Sequence, residues 1–173
     1  MTPADTNAMN PVNIHASCIV CARAGAAFGA PEDVGVLILG ESGTGKSDLA
    51  LRLIAMGANL VADDRCEVSF DGAALRARAP RAIAGLIEIR GLGIVALPFA
   101  TDVRIALVAR TMRGLPDRLP ARRRFVPPDA LGVPENQRPP EIDIDAFAVS
   151  APAKILAAAA AFAKGLFRED IVV

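Results

Sequence analysis

The chain has 173 residues, 53% of them hydrophobic, enough to fill the core of one domain that folds by itself. Lys plus Arg equals Asp plus Glu at 19 each, so no global basic field draws it to nucleic acid or anionic lipid, and the lack of Trp and Tyr removes the best base-stacking platforms. No apolar run reaches the roughly 20 residues that span a bilayer, and the opening "MTPADTNAMNP" has neither the basic nor the apolar region of a signal peptide, which points to the cytoplasm.

Residues 1–12, with Pro3 and Pro11 and no periodicity, read as a disordered tail, and 13–173 as a single domain. A strand is expected over 13–21. Its "IHASCIVC" contains a C-x-x-C pair, Cys18 and Cys21, but alternating β-branched residues put positions three apart on opposite faces. Buried structural thiols are therefore favoured over a redox or metal pair, and an odd total of three cysteines argues against a disulfide framework. A Gly/Ala-rich connection runs through Pro31 to a second strand, "VGVLIL" at 34–39, and the two strands read as a hairpin with a long loop. The spacing of Leu49, Leu53 and Ile54 predicts a helix over 46–56, with Gly57 as its stop. "NLVADD" at 59–64 is a short strand, "FDGA" at 70–73 centres a hairpin, and further strands begin at Ile94 and Val103. Residues 113–141, crowded with Pro and Arg, read as loop. The chain closes with a strand over 142–149 and a helix over 151–167 whose Ile155, Leu156, Phe162 and Leu166 can face the core.

Three stretches carry chemistry. Residues 40–47, "GESGTGKS", match G-x-x-x-x-G-K-[ST] in full, between a buried strand and an amphipathic helix. In that pattern the glycines let backbone N–H groups wrap phosphate oxygens, Lys46 neutralises β- and γ-phosphate charge, and the Ser47 hydroxyl ligates Mg²⁺ at a helix N-terminus. Asp63 and Asp64 end a strand expected to lie beside that loop. Two adjacent acids supply one carboxylate for a metal and one for an attacking hydroxyl's proton, or else mark a solvated turn. "GLIEIRGLGIVAL" at 85–97 sets Glu88 and Arg90 in an apolar strand released through Gly91 and Gly93, which fits either a functional segment or a surface-facing sheet edge.

Together, "GESGTGKSD", "LVADD" and "IEIRGLGIV" resemble the HPr kinase/phosphorylase family in its C-terminal catalytic domain, over about 34–97. The resemblance implies an α/β phosphate-loop kinase domain with a mixed central sheet flanked by helices, of the HPr kinase and PEP carboxykinase type. It also implies the short form without the family's N-terminal domain. ATP would be bound by Gly40, Glu41, Ser42, Gly43, Thr44, Gly45, Lys46 and Ser47, with Lys46 catalytic and Mg²⁺ on Ser47 and Glu88. Asp64 matches the family's proton acceptor, Asp63 the metal and water network, and His15 in "NIHAS" a catalytic-site histidine, although a lone His is more often structural. Arg118 in "DRLP" resembles the catalytic arginine; the neighbouring "ARRRF" is either a partner contact or a solvated basic patch. Nothing here resembles the "PVRPGR" segment that serves the family's reverse reaction, the corresponding stretch being "DAFAVSAPAK".

The expected function is ATP-dependent phosphorylation of a serine on HPr or an HPr-like phosphocarrier of the phosphotransferase system, by a homo-oligomer that the resemblance makes a hexamer. The forward reaction is implied more directly than the phosphorylase reaction. Two other readings fit the same loop: a small-molecule kinase, and a nucleotide-responsive ATPase module that signals by ordering 113–141.

Overall fold

The structure, a computed structural model, describes residues 10–168. Most of the expected tail, 1–9, lies outside the described residues, and strand pairing begins at Val12. Strand β1 (Val12–Val20) leads into a 3₁₀ helix (Ala22–Phe28) within the small-residue connection. There the packing is close enough that a Cβ on Gly25 would meet Ala30 Cβ at 2.6 Å. Then come β2 (Gly35–Leu39), α1 (Lys46–Ala55), β3 (Asn59–Ala62), β4 (Arg65–Phe70), β5 (Leu75–Arg78), β6 (Leu86–Ile89), β7 (Gly93–Ala96) and β8 (Val103–Met112). Strands β9 (Arg123–Arg124) and β10 (Pro140–Asp145) precede α2 (Ala151–Lys164).

One run of strands is ordered β3-β1-β2-β8-β10-β9, with β2-β8 and β8-β10 parallel and the other pairs antiparallel. Both β1 and β8 continue past it: the start of β1 pairs with β4, the start of β8 with β5, and β4 with β5. The central sheet is thus mixed, as expected, and it curls back on itself through two shared strands. Continuous apolar runs suit strands covered on both faces, and β2 shows why. Val36 and Ile38 pack with Leu49, Leu53, Ile155 and Leu156 under the helices. Leu37 and Leu39 pack on the opposite side with Val61, Val68, Leu75 and Val108. The hairpin β6-β7 stands apart as a two-stranded sheet.

The cysteine reading holds: Cys18 joins one core and Cys21 the other, and Cys18, Cys21 and Cys66 are buried and free. Burial pushes the Cys21 thiol up to about 11, and the Cys66 thiol, together with burial, raises Cys18 well above its ordinary value.

Three expectations are corrected. The strand placed over 142–149 ends at Asp145, whose carboxylate accepts the Phe147 N–H at 3.0 Å and whose carbonyl accepts the Ala148 N–H, turning the chain out of the sheet. The last helix stops at Lys164 because Gly165 takes φ +62°, so Leu166 falls beyond it and is half exposed. The Pro/Arg-rich stretch is not all loop: besides β9 it has 3₁₀ turns at Asp129–Leu131 and Glu135–Gln137, and Phe125, Leu131 and Val133 are buried in the core. No helix of the described residues is long and apolar enough to cross a membrane.

Candidate functional site

The loop at 40–47 leaves the C-terminal end of β2 and enters α1, with Gly45 (φ +89°) at the helix N-cap. Its backbone is held by neighbours that tolerate no side chain: a Cβ on Gly40 would run into the Thr111 hydroxyl, and one on Gly45 would meet the Phe147 ring at 3.2 Å. Thr111, buried on β8, donates to the Leu39 carbonyl at 3.0 Å and lies 2.6 Å from the Thr44 hydroxyl. The Lys46 ammonium turns into the loop, donating to the carbonyls of Gly40 (2.9 Å) and Glu41 (2.8 Å). Burial lowers its pKa, against the opposing pull of Asp63 and Asp64.

The strand carrying the acid pair was expected beside the loop, and its end is there, with Asp63 2.8 Å from the Ser47 hydroxyl. It does not pair with β2 directly: β1 lies between β3 and β2, antiparallel to both. Strand β3 therefore points the same way as β2, and the two deliver Asp63 and the phosphate loop to one end of the sheet. The same reversal brings the start of β1, with His15 and Ser17, to that end as well.

The two aspartates have separate surroundings. Asp63 is 4% exposed, and its Oδ1 accepts from the Ser47 hydroxyl at 2.8 Å and from the Ser17 hydroxyl at 2.6 Å, while Oδ2 accepts the Glu88 N–H at 3.3 Å. Asp64 turns out of the strand at φ +62°, its side chain 69% exposed. His15 Nδ1 lies 2.9 Å from the Asp64 carbonyl and 3.4 Å from its carboxylate, and His15 Nε2 is buried with no partner among the described residues.

A cavity of about 350 Å³ gathers His15, Lys46, Ser47, Asp64, Glu88 and Arg90, with Phe147 at its edge. Arg118 is exposed in the 113–122 stretch and is not among the residues lining the cavity. No group of three or more His, Cys, Asp or Glu side chains among the described residues is arranged to hold a metal alone. The donors present, a Ser hydroxyl hydrogen-bonded to a carboxylate at a helix N-terminus, suit Mg²⁺, which takes one or two carboxylates and keeps the rest of its shell for waters and phosphate oxygens.

Residues 30–100 match the family model described as HPr Serine kinase C-terminal domain. The HPr kinase/phosphorylase of Clostridium tetani is 37% identical over 105 residues, covering 61% of this chain and 34% of that protein; that of Bordetella pertussis is 39% identical over 113 residues, covering 58% and 36%. The solved structure of the Hpr(Ser) kinase/phosphatase from Coxiella burnetii superposes with a TM-score of 0.65 at 26% identity, over 84% of this chain and 91% of that one. Over these residues the chain is similar to the HPr kinase/phosphorylases. It spans between 20% and 36% of the length of the curated relatives it matches.

Four contributors escaped the sequence. Ser17 shares a strand face with His15, and that period of two was the available signal. Thr111 lies 64 residues beyond Ser47 and Phe147 in a turn, so only the folded chain brings them to the loop. Arg52 fastens that turn to α1, donating to the carbonyls of Ala146 and Ala148.

Proposed function

We propose that this chain is an ATP-dependent protein-serine kinase whose acceptor is HPr or an HPr-like phosphocarrier. The observation that carries the reading is the division of labour at 63 and 64. One carboxylate is buried against the phosphate-loop serine, and the next is exposed in the cavity that Lys46, Ser47 and His15 also line. The family match over 30–100 supports it.

The phosphate loop and the N-terminus of α1 would hold the triphosphate, with Lys46 leaving its loop carbonyls to meet the β- and γ-phosphates. Ser47 and Asp63 are the residues that would hold Mg²⁺, with Glu88 across the cavity. The ion would neutralise charge on the phosphate oxygens. Asp64 accepts the proton of the seryl hydroxyl, the seryl oxygen bonds to the γ-phosphorus in line, and the bond to the β,γ-bridging oxygen breaks to release ADP. Glycines in the β6-β7 turn and the exposed Leu92 and Ile94 offer a face to a protein acceptor rather than the enclosed apolar pocket a small substrate needs.

Incubation with γ-labelled ATP and purified HPr-type proteins tests the proposal. Label on an HPr serine that disappears with Asp64→Asn supports it. ATP turnover without a labelled acceptor sinks it in favour of an ATPase module.

A further inference from the structure

We propose that Ser17 is a positioning residue for the metal side of this site: its hydroxyl fixes the buried carboxylate of Asp63 so that Asp63 and Ser47 present their oxygens together. The inference rests on the reading of Ser47 and Asp63 as the residues that hold Mg²⁺.

Ser17 has no exposed surface, sits in the middle of β1 opposite Ile38 on β2, and is flanked along its strand by Ala16 and Cys18, both equally buried. A hydroxyl in such a place costs stability unless it is satisfied, and an apolar residue of similar size would serve the core as well. Its hydroxyl donates to Asp63 Oδ1 at 2.6 Å, short and to a charged acceptor, the strong kind. The same oxygen accepts from Ser47 at 2.8 Å. Ser17 therefore approaches Asp63 from the β1 side, Ser47 from the helix side and the Glu88 N–H holds the other oxygen, so the carboxylate is fixed in its rotation as well as its position. Ligand orientation by a hydrogen-bonded neighbour is how outer-shell groups tune metal sites, and losing one costs about 10- to 100-fold in metal affinity.

The test reads metal binding, not turnover. Mn²⁺ affinity is measured by electron paramagnetic resonance in the presence of ADP, and ADP affinity is measured separately without metal. Ser17→Ala is expected to weaken Mn²⁺ binding about tenfold or more while leaving metal-free ADP binding within about twofold of the parent. Ser17→Thr, which keeps a hydroxyl, restores Mn²⁺ binding. Ser17→Cys, nearly isosteric but a weak donor, resembles Ser17→Ala and guards against a packing effect of the smaller residue. Parent-like Mn²⁺ affinity in the Ala and Cys variants overturns the inference, as does parallel loss of Mn²⁺ and metal-free ADP binding, which would make Ser17 an ordinary core residue. No acceptor protein enters this assay, so a failure of the HPr reading leaves its outcome intact.

Discussion

The floor of the cavity and its rim are built in opposite ways. On the floor, Lys46 and Ser47 have their polar atoms committed to the loop's carbonyls and to Asp63, which lies buried behind them and is held in turn by Ser17 and the Glu88 N–H. On the rim, Asp64 and Glu88 hold their carboxylates toward solvent, and the neighbouring hairpin exposes Leu92 and Ile94, each 72% accessible. A preorganised floor suits a donor that is the same in every turnover. An open rim suits an acceptor that brings its own surface and completes the site on docking.

Substitutions on the two sides break or sharpen this contrast. The largest expected effect is on the rim: Asp64→Asn lowers phosphoryl transfer about 10²- to 10⁴-fold while the free protein's stability moves by less than about 0.5 kcal/mol. Transfer is read by labelled acceptor and stability by urea titration. A comparable loss of stability would make Asp64 part of the floor. Next is Asp63→Ala, which strands the buried Ser17 hydroxyl, the half-buried Ser47 hydroxyl and the Glu88 amide and costs about 1–3 kcal/mol of stability without any ligand, again by urea titration. Leu92→Ser should leave stability within about 0.5 kcal/mol yet raise KM for the protein acceptor several-fold with KM for ATP unchanged. An unchanged acceptor KM would remove the hairpin from the docking face. The smallest effect is a pH slope. Burial lowers the Lys46 pKa below its ordinary 10.5, so between the folded and unfolded values the unfolded chain binds more protons and stability rises with pH. Lys46→Met abolishes that contribution, and the stability difference between parent and variant should move in the parent's favour as pH rises toward 10.5. A difference that stays flat would mean the ammonium bears no burial cost.

The same contrast separates what was legible in the sequence from what was not. Strand, phosphate loop and helix over 34–56 were readable because apolar period, glycine turn and helix stop are local signals. The acid pair was found, but its route to the loop was not. A strand order in which β1 slips between β3 and β2 depends on pairings that span 15 to 44 residues and leaves no mark in any one segment. Ser17 and Thr111 were missed for that reason: each is the one hydroxyl of its strand, and its meaning is the group it meets from another strand. In the Pro-rich stretch the prolines pointed to loop, while Phe125, Leu131 and Val133 were enough to anchor it to the core.

The left-handed backbone at Asp64 decides how the acceptor side can be interrogated at all. Asn enters that conformation almost as readily as Asp, whereas Ala there would bear roughly 1 kcal/mol of strain. An alanine scan of the cavity would therefore report a bent chain as a missing proton acceptor at this one position. The amide variant changes the charge and leaves the turn as it is.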